Sequence, residues 1–251
     1  MNKIKSDYLV IGSGIAGLSF ALKVADRGKV HIIAKSLPDD TNTVLAQGGV
    51  AAVTSEKDNP ASHARDTIMA GAGLCHDDAV EVMVKEGPTR IRELLDHGVP
   101  FDMQENGEFD LAREGGHEAY RILHVADETG KSIQEKLLQK ALAHPNIHIY
   151  ERHMAVELIT DHHVLNNLQS AFNICFGAYV LDEKNREVRV FSADYTILAT
   201  GGASRVYLHT TNPDVATGDG IAMASRAGVR IANMEFIQFH PTILYHPKIN
   251  S

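Results

Sequence analysis

The sequence has little cysteine, no excess of positive charge and no long uninterrupted apolar run, and each absence excludes a class of protein. Cys75 and Cys175 are the only cysteines in 251 residues, and without a CxxC pair they form neither a disulfide framework nor a metal site. Lys and Arg number 24 against 32 Asp and Glu, a net charge of −8, which excludes general nucleic-acid binding because that requires a basic surface. The longest apolar stretch, residues 8–25, contains three glycines, two serines and a lysine, so it is neither a membrane span nor a signal peptide. The sequence therefore predicts a cytoplasmic protein without a membrane partner or a bound metal.

The beginning of the chain carries the pattern of a dinucleotide-binding unit within an ordinary globular composition. Hydrophobic residues make up 44% and charged residues 22% of the chain, which predicts one large folded domain or two small ones. Residues 8–11 are an apolar run typical of a buried parallel strand, and residues 15–27 have helical spacing, with Gly28 placed as a C-cap. A second apolar run at 30–33 completes a strand–turn–helix–strand unit.

The turn of this unit reads Gly12-Ser-Gly14-Ile-Ala-Gly17. In a GxGxxG turn the first glycine permits a tight turn, the second lets a pyrophosphate approach the backbone, and the third lets the helix pack on the sheet. The N–H groups at the helix N-terminus then face the phosphates. An Asp or Glu is expected about 20 residues further on to bind a ribose, but the second strand is followed by Lys35, whose ammonium group accepts no hydrogen bond. This departure disfavours a simple NAD-binding protein.

Four further glycine-rich segments favour close approach of a ligand to the backbone. Residues 41–52 combine small side chains with two adjacent glycines, although tight packing alone explains them equally well. Residues 199–202 follow a predicted strand, and residues 217–220 open a predicted helix, where Asp219 binds a ribityl hydroxyl, caps the helix, or does both. Residues 111–124 place Arg, Glu and His around two glycines, which suits recognition of carboxylate and ammonium groups, or else a solvated salt-bridge loop.

The remaining pattern predicts helices, a small antiparallel meander and long loops. Asp77 is placed as the cap of one helix and Pro88 as the start of a second, and residues 182–186 form the turn between the last two strands of the meander. The predicted helices are 61–69, 79–86, 88–96, 131–143 and 218–227; the predicted strands are 147–150, 155–160, 171–181, 187–192 and 195–199; the predicted loops are 101–118, 161–169 and the rest of 36–75. The predicted fold class is therefore α/β: a Rossmann-like domain with a parallel sheet and a β-meander inserted at about 154–192.

Five segments together resemble the flavoprotein family of succinate dehydrogenase, fumarate reductase and L-aspartate oxidase. They are GSGIAGLS, the AQGG loop, the ATGG strand end, the stretch TNPDVATGDGIAMASRAG and MEFIQFHP, which keep the family's order and span essentially the whole chain. The resemblance implies an FAD-binding domain of the glutathione-reductase type. It also turns the departure at Lys35 into a match, because this lysine stands where the family replaces the generic acidic residue.

Two features separate the branches of this family. Asn42 stands before AQGG where succinate dehydrogenases and membrane fumarate reductases have the histidine that carries FAD covalently, so the resemblance implies non-covalent FAD. The segment REGGHxxxRILH at 113–124 is similar to that of L-aspartate oxidases. It implies oxidation of L-aspartate to iminoaspartate by hydride transfer to FAD, with oxygen or fumarate as the acceptor, as the first step of quinolinate and NAD biosynthesis. Quinolinate synthase is the implied functional partner.

The family's functional positions map onto residues of this chain. Glu114 matches the glutamate that recognises the substrate amino group, and His240 matches a histidine that binds a substrate carboxylate; these are the implied catalytic residues. The implied FAD-binding residues are Ser13, Gly14, Ile15, Ala16, Lys35, Asn42, Thr43, Val44, Leu45, Ala46, Gln47, Gly48, Gly49, Met154, Ala155 and Asp219.

Two alternatives stay open at this stage. One is a fumarate reductase or succinate dehydrogenase flavoprotein, which Asn42 and the 113–124 segment disfavour. The other is a non-catalytic FAD-binding fragment, because family members continue into a capping domain and a catalytic arginine is expected beyond the end of this chain. We therefore expect an FAD-binding domain at 1–238 and the start of a truncated capping domain at 239–251, with little or no turnover by these 251 residues alone.

Overall fold

A computed structural model describes residues 3–161 and 174–240 of the chain. In chain order its elements are β1 (Lys3–Ile11), α1 (Ile15–Val24), β2 (Val30–Ile33), β3 (Val50–Ala51), α2 (Pro60–Ala70), α3 (Asp77–Asp96), β4 (Leu111–Ala112), β5 (Ile122–Leu123), α4 (Thr129–Ala143), β6 (Ile147–Tyr150), β7 (His153–Thr160), β8 (Cys175–Asp182), β9 (Glu187–Leu198), a 3-10 turn (Ser204–Val206) and α5 (Asp219–Arg226). They fall into two compact units, the first comprising Met1–Leu45 with Leu137–Ser251 and the second Ala46–Lys136. Within the two described ranges, no helix is both long and apolar enough to cross a bilayer.

The first unit is built on a six-stranded sheet in the order β6-β2-β1-β9-β8-β7. The strands β6, β2, β1 and β9 run parallel, and β9, β8 and β7 pair antiparallel. The predicted α/β class is confirmed, with the meander joined edge to edge to the parallel sheet. Both faces of the central strand β1 are covered, since Leu9 packs in an apolar cluster with Met223 and Val10 lies against Gly17 of α1, and both residues are therefore fully buried.

The predicted βαβ unit is confirmed: it consists of β1, α1 and β2, and the two strands pair in parallel. Gly17, Leu18 and Ala21 form the buried face of α1. The helix ends at Ala25 rather than at Gly28, so the predicted glycine C-cap is wrong. Gly28 instead packs against the side chain of Asp7, whose carboxylate accepts the Lys29 N–H at 2.6 Å.

One apolar cluster forms the core of the first unit on a face of this sheet. It brings together parallel and meander strands and is closed by Met223 of α5. Its buried members are Leu9, Ile11, Ile33, Ala155, Leu158, Ala178, Val180, Phe191, Ala193 and Met223. The meander is therefore packed into the same core as the nucleotide-binding strands.

The strand β9 corrects a boundary in the prediction. Residues 187–192 and 195–199 were expected as two strands, but Glu187–Leu198 is one strand of 12 residues. It pairs with β8 over Glu187–Ser192 and with β1 over Val190–Leu198. This single strand joins the two parts of the sheet because one of its edges pairs with β1 and the other with β8.

The second unit combines the contacting helices α2 and α3 with a small sheet in the order β3-β5-β4. The prediction of two helices separated at Pro88 is wrong, since α3 is one helix of 20 residues with Pro88 inside it. Val84 and Ile91 are buried on either side of the proline, so a continuous apolar stripe maintains the helix despite the lost backbone N–H. The N-cap of α3 is His76 rather than Asp77.

Several smaller predictions also change. The segments 36–75 and 101–118, expected as loop around one helix, contain the two-residue strands β3 and β4. Asp219 is the first residue of α5 and Gly218 is its N-cap, so Asp219 is not the cap. The start of the strand predicted at 171–181 and most of the predicted excursion 161–169 lie outside the described residues.

Candidate functional site

The turn between β1 and α1 requires glycine at two positions. Gly12 has a φ of +115°, and a Cβ there would overlap the carbonyl oxygen of Ala199, just after β9. A Cβ at Gly17 would overlap the carbonyl oxygen of Gly12. The glycines therefore let β1, α1 and the end of β9 meet at backbone contact distance.

The N-terminus of α1 is arranged to receive an anion. Gly14 is the N-cap and provides no side-chain cap hydrogen bond, and the first helical turn contains no acidic residue. The Ile15 N–H donates to the Thr43 hydroxyl at 3.1 Å, which places the segment 41–45 beside this helix end. First-turn N–H groups and the positive end of the helix dipole together favour a phosphate.

A cavity in the first unit lies next to this turn, at the carboxyl ends of β1 and β2. It is lined by Ile11, Gly12, Ile33, Lys35, His153, Met154, Ala155, Thr200, Asp219 and Met223. Four of the residues assigned to FAD from the resemblance thus line one cavity: Lys35, Met154, Ala155 and Asp219.

Lys35 and Asp219 form an ion pair at the polar side of this cavity. The Lys35 ammonium also donates to the Thr217 hydroxyl at 2.7 Å, and that hydroxyl donates to Asp219 Oδ1 at 2.7 Å. Burial alone would raise the pKa of Asp219, but hydrogen bonds from Lys35 and Thr217 and the lysine charge lower it below its usual value. Asp219 is therefore a charged acceptor, suited to bind a hydroxyl group of a ligand.

The Asn42 side chain presents an unsatisfied acceptor in the same unit. Its Oδ1 is buried and has no hydrogen-bond partner among the described residues. Gly201, in the ATGG segment after β9, lies beside the Asn42 amide with a φ of +70°. Because a buried unpaired carbonyl is costly in free energy, its presence points to a hydrogen-bond donor on a ligand.

The residues Ala46–Gly49 and Glu114 belong to the second unit. The Ala46 carbonyl accepts the Gly130 N–H at 2.9 Å, and Gly49 packs against the backbone of Leu123. Ala46, Gln47 and Gly48 are exposed, as is Glu114. The Glu114 carbonyl accepts the His117 N–H at 3.0 Å, so this acidic side chain lies on a tight turn with no ion pair to another described side chain.

The exposed residue His240 lines a groove in the first unit. Tyr207, Leu208 and Phe239 form its apolar part, and the rings of Tyr207 and Phe239 meet edge to face at 5.0 Å. His240 is therefore accessible to a ligand in this groove.

Sequence reasoning missed three polar residues near the predicted FAD contacts. Thr200 and His153 line the cavity, and Thr217 holds the Lys35–Asp219 pair. Thr200 and Thr217 are the neighbours of glycine in the ATGG and TGDG segments, so those motifs pointed to their location without assigning them a contact.

The glycine turn, the open helix end and the polar cavity beside it define a dinucleotide-binding domain of the flavoprotein class. The chain belongs to the FAD binding domain family, whose sequence model matches residues 7–251. FAD is therefore its cofactor. The residues present fit this cofactor, because the glycine turn admits a pyrophosphate and the buried Asn42 oxygen lacks a partner among the described residues.

The chain is similar to curated L-aspartate oxidases and to solved fumarate reductase structures. It is 51% identical to L-aspartate oxidase 1 of Ralstonia nicotianae, over 96% of this chain and 45% of that protein. It is 49% identical to the L-aspartate oxidase of Vibrio cholerae, again over 96% and 45%. A quinol fumarate reductase chain of E. coli superposes with a TM-score of 0.83 at 31% identity, over 89% of this chain and 37% of that one. The chain thus spans about half the length of the curated relatives it matches.

Proposed function

We propose that the protein oxidises L-aspartate to iminoaspartate with FAD as its cofactor. The similarity to proteins named L-aspartate oxidase, near 50% identity across almost the whole chain, is the observation that carries the substrate assignment. Oxygen or fumarate is the proposed final acceptor, and the reaction is proposed to open quinolinate and NAD biosynthesis with quinolinate synthase as functional partner. A cytoplasmic location remains a prediction from the sparse cysteines.

The first unit supplies most of the proposed cofactor contacts. Ser13–Ala16, at the turn and first residues of α1, would hold the pyrophosphate, and the segment 42–49 would line the flavin. Backbone groups of Met154 and Ala155 would contact the adenine end, while Asp219, oriented by Lys35, would bind the ribityl chain. Bound FAD would supply the two-electron chemistry by accepting a hydride from the substrate carbon. With Asn42 in place of a flavin-bearing histidine, we propose that the cofactor is held without a covalent bond.

The protein's own contribution is to bind and orient the substrate. Glu114 is exposed on its turn, so its carboxylate is available to accept hydrogen bonds from the aspartate ammonium group. His240 is proposed to bind a substrate carboxylate. A dicarboxylate such as succinate has no ammonium group, so Glu114 would discriminate against it.

The proposed domain division is FAD binding at 1–238 and the start of a capping domain at 239–251. We propose that turnover also requires a catalytic arginine from beyond residue 251. The 251-residue chain alone is therefore proposed to bind FAD without oxidising aspartate.

An anaerobic absorbance experiment tests the proposed function. L-aspartate added to the purified full-length protein is expected to bleach its yellow colour, whereas the 251-residue chain should stay yellow. Bleaching by succinate and not by aspartate would replace the proposal with a fumarate reductase or succinate dehydrogenase function. A full-length protein that neither compound bleaches would be a non-catalytic FAD-binding module. Acid precipitation should release the flavin into the supernatant, and colour retained in the pellet would refute non-covalent binding.

A further inference from the structure

The helix α2 has an unusual buried face. Its three buried residues, Ser62, His63 and Asp66, are all polar, while its apolar residues Ile68 and Met69 are exposed. A helix in a globular protein ordinarily buries its apolar face. The buried face of α2 therefore serves a polar contact, and that contact is with Arg121.

Arg121 is a fully buried cation held by two carboxylates. Its Nε and one terminal nitrogen donate to both oxygens of Asp58 at 2.8 and 2.9 Å. Its other terminal nitrogen donates to Asp66 Oδ2 at 2.6 Å, and Ser62 Oγ accepts a further bond at 3.2 Å. A buried ion network of this kind contributes little net stability compared with apolar packing, so its presence calls for another role.

Asp66 connects this network to the loop that carries Glu114. Besides Arg121, its Oδ2 accepts the backbone N–H of Glu118 at 2.9 Å. Burial by itself would raise the pKa of Asp66, but the Glu118 N–H and the Arg121 guanidinium lower it below its usual value. The carboxylate is thus charged, and its bond to the Glu118 N–H is a charge-assisted one.

The same loop is held at other points. The Arg121 backbone N–H donates to the Ala112 carbonyl at 3.1 Å, which holds together the two ends of the loop between these residues. Within the loop, the His117 ring meets the buried ring of His63 edge to face, with centroids 6.1 Å apart. Burial, the Arg121 charge and His117 together lower the pKa of His63, so no second buried cation competes with Arg121. Between these anchors, residues 113–116 are exposed.

We propose that Asp66 and Arg121 are positioning residues that hold the 113–118 loop in the shape that presents Glu114 to the substrate amino group. This inference rests on the proposed function for its substrate, but the loop anchoring stands on contacts within the second unit alone. Asp58 binds Arg121 and makes no described contact to the loop, which makes it the matched control.

Amide hydrogen exchange tests the anchoring without any substrate. In the full-length protein, Asp66→Ala is expected to speed exchange of the Glu118 amide roughly 10- to 100-fold, since a hydrogen bond to a charged group is lost. The Ala52 amide, which donates to the Arg121 carbonyl at 3.0 Å, should change little, and Asp58→Ala should leave Glu118 protected. If Asp66→Ala does not fold, Asp66→Asn, which keeps one acceptor oxygen, is expected to speed Glu118 exchange about 3-fold. Unchanged Glu118 exchange in the folded Asp66 variant, or equal acceleration of Glu118 and Ala52, would overturn the anchoring.

A double-variant comparison tests whether the anchoring acts through Glu114. Asp66→Ala, or Asp66→Asn if only that variant folds, should raise the Kd for L-aspartate by about 10-fold in the otherwise natural protein, but less than about 2-fold in a Glu114→Gln background. Equal effects in both backgrounds would overturn the positioning role while leaving aspartate binding intact. Failure of the natural protein to bind aspartate would instead refute the proposed function, and the exchange result would still decide whether Asp66 anchors the loop.

Discussion

At the scale of single residues, the glycine turn gives the sharpest structural prediction. In Gly12→Ala the new Cβ would overlap the Ala199 carbonyl oxygen and occupy a φ of +115°. We expect a loss of at least about 3 kcal/mol in the free energy of unfolding, or no folded protein. Urea unfolding followed by circular dichroism measures the loss. Stability within about 0.5 kcal/mol of the natural chain, the usual range for a harmless surface change, would contradict the geometry.

Gly202 provides the matched comparison, because it has no other described atom near its Cβ position. Gly202→Ala should therefore leave the unfolding midpoint of the cofactor-free protein almost unchanged. If the space beside the ATGG segment receives FAD, the same methyl group should weaken FAD binding about 10-fold or more, measured by flavin fluorescence titration. If this variant binds FAD as tightly as the natural protein does, the cofactor does not lie beside Gly202.

His31 makes stability depend on pH. It lies in β2 with Tyr150, His148 and Phe191 around its ring, and both ring nitrogens lack a partner among the described residues. Burial above all, with smaller effects of Lys29 and His148, lowers its pKa from 6.5 to about 4. Between pH 6.5 and about pH 4, His31 is therefore protonated in the unfolded chain but neutral in the folded chain. The free energy of unfolding is at its maximum above pH 6.5, decreases as the pH falls through this range, and levels off below about pH 4. The shift corresponds to about 3 kcal/mol.

The His31→Phe variant isolates this effect from other titrating groups. Urea midpoints at pH 7.5 and pH 4.5 should differ less in the variant than in the natural chain. An identical pH dependence in both proteins would show that His31 does not titrate in this way.

The sequence predicted some residues of the candidate sites and gave no signal for others. Lys35 and Asp219 belong to segments whose backbone context the sequence indicates, whereas Met154 and Ala155 were assigned by the family resemblance alone. All four residues line one cavity. The Arg121 network had no such signal, since Asp58 and Asp66 lie 63 and 55 positions away along the chain. Only the folded second unit brings these charges together, and pattern reasoning does not detect contacts of that separation.

At the scale of elements, the start of α2 illustrates a local rule that the sequence does encode. The Asn59 side chain accepts the Ser62 N–H at 2.9 Å, and Pro60 occupies the first helical position. Asn59→Ala should cost about 1 kcal/mol of stability by removing this cap, while Asn59→Asp should cost much less. Equal midpoints for the alanine and aspartate variants in urea unfolding would show that the cap contributes nothing.

Elements were predicted well where local chemistry decides them and poorly where packing does. The βαβ unit, β6 and α4 follow from apolar runs and helical spacing. The prediction separated two helices at Pro88, because proline favours the first position of a helix, whereas burial of Val84 and Ile91 on one face maintains one continuous helix. The strands β3 and β4 have only two residues each, too short for any periodicity to appear in the sequence.

At the scale of the whole molecule, the cofactor assignment and the substrate assignment depend on different observations. The family match over residues 7–251 and the glycine turn concern FAD alone. The substrate assignment depends on relatives of which the chain covers 45%, and on Glu114 being presented correctly by its loop. We therefore propose that this protein oxidises L-aspartate and that Glu114 selects the amino acid over the plain dicarboxylate.

The ratio of the anaerobic flavin bleaching rates with L-aspartate and with succinate tests both parts of this proposed function. We predict that the full-length protein strongly prefers aspartate. In Glu114→Gln the ratio should fall roughly 10- to 100-fold, because a charge-assisted bond to the ammonium group is lost, and the flavin spectrum should not change. A preference for succinate would contradict aspartate oxidation, and a ratio that Glu114→Gln leaves unchanged would contradict the selecting role of Glu114.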